Sequence, residues 1–164
     1  MSVWEVAATV VDPEMPMLTL ADLGVLRRAE LDDDGVVRVA ITPTYTGCPA
    51  MDAMRTDLDA RLRAAGHDTV DVRIVWSPPW STDLISDEGR RKLAEHGLAP
   101  PGRTGPRAAG PVPLTLDPPT AVVACPRCGS PHTGLVSRFG PTACTALRRC
   151  RACDEPFEHV KELP

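Results

Sequence analysis

Aromatic residues are scarce in this chain, and long apolar runs are missing. Only 4% of the 164 residues are Phe, Trp or Tyr, so the core must be built mostly from aliphatic side chains and methionine. No stretch of about 18 consecutive apolar residues occurs, which excludes a membrane-spanning helix. The first residues include acids and no basic segment, unlike a secretory signal peptide, so we expect a cytoplasmic protein.

Cysteine is too rare for a disulfide-stapled secreted domain, since the chain has only six. Cys48 stands alone, while the other five lie between positions 125 and 153. In a reducing cytoplasm, a cluster of this kind favours metal binding over disulfide formation.

Proline, in contrast, is abundant, with 18 residues. Residues 99–119 contain seven prolines and three glycines in 21 positions, a composition that predicts an extended, semi-rigid linker. Residues 1–98 carry 17 acids and 10 bases, whereas residues 99–164 carry 5 acids and 8 bases. We therefore predict an acidic domain at 1–98, the linker at 99–119 and a slightly basic domain at 120–164.

The first domain has a readable order of elements. Ser2 and Glu5 have the spacing of a helix capping box. Hydrophobic periodicity predicts helices at 3–11, 49–65 and 86–96, and strands at 24–31, 36–42 and 70–76. The apolar stripe of the second helix consists of Met51, Met54, Leu58, Leu62 and Ala65. Trp76 falls on the apolar face of the third strand and is expected in the core, although the prolines between Trp76 and Trp80 could hold an aromatic outward. The order α-β-β-α-β-α predicts a small two-layer fold of the α/β (α+β) class.

The strongest chemical signal is a pair of Cys-x-x-Cys motifs, Cys125/Cys128 and Cys150/Cys153. Four thiolates on two tight turns are the ligands that zinc prefers, so we predict a zinc-ribbon-like site. Iron or an iron–sulfur centre uses the same ligands and stays an alternative, as do two disulfides and a redox pair. The segment has little else to bury, so metal binding would supply most of its folding free energy, on the order of 10 kcal/mol. Its few large apolar residues are Leu135, Val136, Phe139, Leu147 and Phe157.

Cys144 is a fifth cysteine close to this cluster. Free cysteine is often a small buried apolar residue, and that interpretation is favoured. The alternative is that Cys144 is an additional ligand for a metal in transfer.

Cys48 precedes Pro49 at the start of the second predicted helix. We expect it at the helix N-cap, where the helix dipole would lower the pKa of its thiol and favour the reactive thiolate. An inert capping cysteine is the equal alternative. Thr44, Thr46 and Gly47, in the loop before it, would leave that loop open to a ligand.

Two short acidic motifs, Asp12-Pro-Glu14 and Asp22-Leu-Gly24, complete the set of candidates. A pair of carboxylates could bind metal or move protons. Asp-Pro and Asp-capped turns are nevertheless common, and a solvated turn is the favoured interpretation for both motifs.

Together these residues resemble a known family. Asp12-Pro-Glu14, Asp22-Leu-Gly24 and the motif from Thr42 through Thr44 to Cys48-Pro49 are similar to the signature of the small α/β domain of cytosolic iron–sulfur assembly factors. The resemblance narrows to the PaaD family, which accompanies bacterial phenylacetyl-CoA epoxidase systems. The features that narrow it are the segments 76–83 and 97–101 and the five C-terminal cysteines. The resemblance covers nearly the whole chain.

This resemblance implies a non-catalytic accessory subunit in aerobic phenylacetate catabolism, where the ring is converted to a 1,2-epoxide. It implies assistance with iron or iron–sulfur delivery to a di-iron oxygenase or to its iron–sulfur flavin reductase, or contact with the iron–sulfur assembly machinery. Cys48 corresponds to the functional cysteine of the family, and Cys125, Cys128, Cys150 and Cys153 correspond to its metal knuckles. Cys144 corresponds to the extra cysteine of the subfamily, and Asp12 and Glu14 to its Asp-Pro-Glu segment.

Three alternatives stay open: a general iron–sulfur assembly factor, a zinc-ribbon binding module, and an enzyme. Nucleic acid is a poor partner for the second domain, because its small basic excess shrinks further once four thiolates bind a divalent ion. An acyl-transfer enzyme with Cys48 as nucleophile would need a base and an oxyanion site, and neither is apparent nearby in the sequence.

Overall fold

The computed structural model describes residues 1–103 and 122–162. They form two compact units, Met1–Lys92 and Leu93–Pro164. The linker predicted at 99–119 lies mostly outside the described residues; its first residue, Ala99, is a buried strand residue. No helix in the described ranges has both the length and the apolar character needed to cross a bilayer.

Unit 1 confirms the predicted element order. It contains α1 (Val3–Ala7), β1 (Leu26–Leu31), β2 (Val37–Ile41), α2 (Ala50–Ala64), β3 (Val70–Ile74), a short 3-10 turn (Thr82–Leu84) and α3 (Asp87–Glu95), although α3 continues past the unit boundary. The strand order is β1-β2-β3, with β1 antiparallel and β3 parallel to β2. Because β2 and β3 are parallel, α2 is the crossover between them.

Burial in unit 1 follows the predicted stripes. Alternate residues of β2, namely Val37, Val39 and Ile41, are buried, as a strand with one face on the core requires. From α2, the buried residues of the predicted stripe are Met51, Met54, Leu58 and Leu62, and Ala50 is buried as well. The prediction that Ala65 belongs to this stripe is wrong, because α2 ends at Ala64 and Ala65 is exposed in the cap.

The first helix is shorter than the predicted 3–11. Its Ser2–Glu5 capping box is present, but the helix ends at Ala7. The next residues pair with a later segment instead: Leu20 N–H donates to the carbonyl of Val10 over 2.8 Å, and Asp12 N–H donates to the carbonyl of Leu18 over 2.9 Å. This small antiparallel contact makes the Asp12 turn a fixed part of unit 1.

Of the two tryptophans that flank the Pro78-Pro79 pair, Trp76 is exposed and Trp80 is buried. Trp76 is 59% exposed, so its assignment to the core is wrong: β3 ends at Ile74, and the chain leaves the sheet before the indole could pack on its apolar face. Trp80 is buried, and its indole N–H donates to the carbonyl of Leu23 over 2.8 Å.

Unit 2 is built on a four-stranded sheet. Its strands are β4 (Leu98–Ala99), β5 (Thr133–Ser137), β6 (Thr145–Cys150) and β7 (Pro156–Val160), in the order β4-β7-β6-β5. β5, β6 and β7 are antiparallel neighbours, and β4 adds to β7 in parallel. The core is small and includes two of the predicted ligands: Ala99, Val123, Cys125, Cys150 and Phe157.

Three of the apolar residues expected to fill unit 2 are exposed instead. Leu135, Val136 and Phe139 are 51%, 66% and 75% exposed. β5 is an edge strand with an irregular register, so its side chains have few neighbours to pack against. The unit therefore has even less apolar core than the sequence indicates, which increases its need for a metal ion.

Candidate metal centre and the Cys48 loop

Four cysteine sulfurs meet at one point in unit 2. The Sγ atoms of Cys125, Cys128, Cys150 and Cys153 all lie within 4.8 Å of one another. The Cys125–Cys153 pair is 3.8 Å apart and the Cys128–Cys150 pair is 3.6 Å apart. A tetrahedral zinc ion with Zn–S bonds of about 2.3 Å requires sulfurs about 3.8 Å apart, so this donor set fits a single metal ion.

Backbone turns at the two knuckles position these sulfurs. In the first, Gly129 N–H donates to the carbonyl of Cys125 over 2.8 Å, and Gly129 adopts a φ of 72°. Asp154, directly after the second knuckle, adopts a φ of 60°. This conformation favours glycine and is tolerated by Asp, so Gly129 was a sequence signal for the first turn whereas the second carried no such signal.

The surroundings of the second knuckle favour the thiolate form of Cys150 but not that of Cys153. Burial acts to raise the pKa of Cys150, but N–H groups of Cys153 and Ala152 and the neighbouring thiols lower it to about 7. The Glu155 N–H acts to lower the pKa of Cys153, yet the Cys128 thiol, desolvation and the other thiols raise it to about 12. Four adjacent sulfurs cannot all ionise without a compensating positive charge, and a bound cation supplies that charge.

The structure excludes one of the alternatives for these cysteines. All six cysteines are free thiols, so the two-disulfide alternative is wrong. Cys144 lies outside the group of four; it is half-buried, and its sulfur is 3.1 Å from the Thr142 hydroxyl. Within the described residues, the four-cysteine group is the one cluster with metal-binding geometry.

Cys48 lies just before α2, not at its N-cap. Pro49 takes the N-cap position, and the Cys48 carbonyl accepts a hydrogen bond from Met51 N–H over 3.4 Å. The predicted direction of its pKa shift is also wrong: burial raises the pKa of Cys48, and the carboxylates of Glu14 and Asp12 raise it further. Hydrogen bonds from Ala50 N–H and from Tyr45 oppose this rise without reversing it.

The Asp12-Pro-Glu14 turn contributes the carboxylates beside this thiol. Asp12 is only 5% exposed, so the solvated interpretation is wrong for it. Its Oδ1 accepts hydrogen bonds from Glu14 N–H at 2.7 Å and Met15 N–H at 2.8 Å. Burial raises the pKa of Asp12, and these two hydrogen bonds partly offset the effect. The turn and the Cys48 loop thus bring one thiol and two carboxylates into electrostatic contact.

Asp22 has a structural role away from Cys48. Its Oδ2 accepts from Lys92 Nζ at 2.7 Å and from Thr19 N–H at 3.0 Å. Burial opposes ionisation of Asp22, but the hydrogen bonds from Lys92 and Thr19 hold its pKa below the ordinary value.

Thr44 is a half-buried residue of the loop that leads to Cys48.

Tyr45 is a site residue that the sequence did not reveal. Its hydroxyl is a hydrogen-bond partner of the Cys48 sulfur. Its position three residues before Cys48, in a loop with three threonines, was the only available signal.

Two family profiles match separate parts of the chain. Residues 2–74 match the iron-sulfur cluster assembly protein family, and residues 109–161 match the PaaD zinc beta ribbon domain. The first match includes the Asp12 turn and Cys48, and the second includes all four cysteines of the candidate metal centre.

Some known proteins are similar to nearly the whole chain, and others are similar to about half of it. A protein of Escherichia coli (strain K12), named as a putative component of 1,2-phenylacetyl-CoA epoxidase, is 39% identical over 159 residues, which are 97% of this chain and 90% of that protein. The Staphylococcus aureus (strain USA300) protein named "Fe-S protein maturation auxiliary factor SufT" is 40% identical over 81 residues, which are 47% of this chain and 88% of that protein. A crystal structure of domain of unknown function DUF59 from Bacillus anthracis is 25% identical with a TM-score of 0.51, covering 56% of this chain and 87% of its own.

Proposed function

This chain belongs to the PaaD family of 1,2-phenylacetyl-CoA epoxidase components, and from that premise we propose that it helps to mature the iron or iron–sulfur centres of such an epoxidase system. The observation that carries the proposal is the joining, in one chain, of an iron–sulfur assembly domain and a four-cysteine ribbon. In this role the protein is an accessory factor that handles metal for the oxygenase or its reductase.

Cys48 is the group that we assign to transient iron binding. A half-buried thiol with a raised pKa is protonated near neutral pH, so a cation must displace its proton in order to bind. The carboxylates of Asp12 and Glu14 supply negative charge beside the resulting iron–thiolate bond. One thiolate with two nearby carboxylates holds iron weakly, as a group that passes iron to another protein must.

The ribbon is assigned a different task. Its four cysteines have the spacing and softness that suit zinc, and a closed tetrathiolate site holds the ion tightly as part of the fold. In this proposal zinc at the ribbon stabilises unit 2 and does not take part in transfer.

The regions of the chain that the relatives match support a separate role for each unit. The maturation factor from Staphylococcus aureus is covered almost fully by half of this chain, and the iron-sulfur assembly profile stops at residue 74. A general iron–sulfur assembly activity would therefore reside in unit 1. The ribbon would restrict that activity to the epoxidase system, because the relative with the epoxidase name is matched over 97% of this chain.

A reconstituted phenylacetyl-CoA epoxidase tests the role of Cys48. Oxygenase and reductase produced with Cys48→Ala should contain less iron and turn over more slowly than those produced with the unmodified chain, while the zinc content of the variant stays unchanged. Cys144→Ala is the matched control, since it removes the other half-buried thiol outside the group of four. Full epoxidase activity with Cys48→Ala would rule out a transfer role for this residue.

Metal analysis of anaerobically purified protein separates the two sites. One zinc per chain and no colour are expected of the ribbon alone. A brown chromophore that disappears in Cys48→Ala would indicate an iron–sulfur cluster at Cys48, whereas one that disappears in Cys150→Ser would place iron in the ribbon and overturn its zinc assignment.

A further inference from the structure

An apolar surface lies at the open edge of the unit 2 sheet. Leu135, Val136 and Phe139 fall within five consecutive positions at and just after β5, and each is at least half exposed. Phe139 is one of only two phenylalanines in the chain. Exposed apolar side chains that cluster in this way are typical of a surface that binds a partner.

The backbone of β5 is also open on one side. β5 pairs with β6 and has no second neighbour among the described strands. An unpaired edge offers N–H and C=O groups to an added strand. The register shifts between Leu135 and Ser137, so Val136 has no Cα partner on β6. An irregularity of this kind discourages indiscriminate pairing and favours a partner that fits through its side chains.

Positive charge surrounds these apolar residues. The Arg151 guanidinium lies over Gly134, whose missing side chain leaves room for it, with Nη2 3.4 Å from the position a Cβ would take. Gly134, Leu135, Val136 and Arg151 line a shallow cleft of about 370 Å³. Asp154 is the acid in that cleft, and it pairs with Arg149 at 3.2 Å. Neither Arg151 nor Arg138 has an acidic partner within the described residues.

We propose that this β5 edge surface, made of Leu135, Val136, Phe139, Arg138 and Arg151, binds an extended segment of another protein that alternates apolar and acidic residues. The apolar side chains would pack on Leu135, Val136 and Phe139, and the carboxylates would pair with Arg138 and Arg151. The inference rests on unit 2 alone and holds whether or not Cys48 transfers iron.

Two other occupants fit less well. A second copy of the chain pairing edge to edge would bring Arg138 and Arg151 close to the same residues of its partner, and like charges disfavour that arrangement. Single-stranded nucleic acid uses rows of aromatic side chains for base stacking, whereas this surface offers two aliphatic residues and one phenylalanine.

A random library of displayed peptides about ten residues long, near the upper limit of natural strands, tests the proposal on the metal-loaded full chain. Selection should enrich peptides that alternate apolar residues with Asp or Glu. Val136→Glu should weaken binding of the enriched peptides about tenfold, as expected for loss of a central contact. Val122→Glu is the matched control, because Val122 is 80% exposed but lies outside the β5 edge surface, and it should leave affinity within about twofold.

A separate substitution tests whether arginine selects acidic residues in the partner. Arg151→Glu should shift the selected peptides away from acidic residues while the metal content stays the same. The proposal fails if no acidic–apolar peptides are enriched, or if Val136→Glu and Val122→Glu affect binding equally. Binding of an oligothymidine that Val136→Glu abolishes would favour nucleic acid instead, and a dimer in sedimentation analysis that Val136→Glu dissociates would favour a second copy.

Discussion

The two thiol sites of this chain hold sulfur in opposite chemical settings. In unit 2, four sulfurs surround one point, and backbone N–H groups lower the pKa of Cys150 to about 7. In unit 1, a single sulfur is half-buried beside carboxylates, and its pKa is raised. The first setting favours permanent retention of a soft cation, and the second favours brief occupancy that requires loss of a proton. The contrast shows that local electrostatics, rather than cysteine itself, sets how readily each thiol ionises, and the proposed division between a structural ligand and a transfer group builds on that difference.

Removing one ligand of the four-cysteine site should produce the largest effect. Cys150→Ser leaves three thiols and removes a sulfur that accepts backbone hydrogen bonds from Ala152 and Cys153, so unit 2 should lose its metal ion and a folding contribution on the order of 10 kcal/mol. Zinc analysis with circular dichroism checks this, and Cys144→Ser is the control. Loss of the metal with full retention of structure in Cys150→Ser would show that the ribbon is held by its apolar core, and retention of the metal would show that Cys150 is not needed to bind it.

The Asp12 turn should come next. Asp12→Ala removes two hydrogen bonds that a buried carboxylate accepts from backbone N–H groups, so the free energy of unfolding of unit 1 should fall by about 3 kcal/mol. Denaturant titration measures the change. Glu14→Ala is the control, because Glu14 is exposed, and its effect should stay within about 0.5 kcal/mol. Equal effects would mean that the two hydrogen bonds accepted by Asp12 do not stabilise unit 1.

Unit 2 should also lose stability in acid because of His159. This residue is 6% exposed, and burial, together with the charge of Arg148, lowers its pKa to about 4. Below about pH 6.5 the unfolded chain binds a proton that the folded chain does not, so the free energy of unfolding should fall by about 2 kcal/mol between about pH 6.5 and 5. His159→Leu removes this component. Because the thiols contribute equally in both proteins, their contribution cancels when the pH dependence of the unfolding free energy is compared between the unmodified chain and the variant. Identical slopes would show that His159 titrates normally.

The smallest effect is expected at Cys48. Its thiol should react with iodoacetamide more slowly than an unhindered cysteine at neutral pH, because less of it is ionised. Glu14→Gln removes a neighbouring negative charge and should speed the reaction by less than about tenfold, the change that one full pKa unit would give. Mass spectrometry of the alkylated peptide measures the rate. A slower reaction in Glu14→Gln would contradict the electrostatic account.

Periodicity and ligand spacing predicted most of the fold, because both are local. The stripe from Met51 to Leu62 and the alternation of β2 depend on neighbours a few residues apart, and the buried faces match them. The element order of unit 1 followed from the same patterns together with turn residues.

The failures concern residues whose surroundings come from distant parts of the chain. Trp76 was assigned to the core because it continues the alternation of β3, but the strand ends two residues earlier. Burial raises the pKa of Cys48, and Glu14 and Asp12, more than 30 positions away, raise it further; no helix-start rule contains either effect. Leu135, Val136 and Phe139 looked like core residues because the sequence does not reveal which strand ends at the edge of a sheet.

Asp154 has a consequence for engineering this protein. A non-glycine residue with φ of 60° is strained by roughly 1 kcal/mol relative to glycine. The ion pair of Asp154 with Arg149 at 3.2 Å lies on the surface, so its loss would cost little. Asp154→Gly is thus a rational first substitution for a more heat-resistant ribbon, with no change to any sulfur.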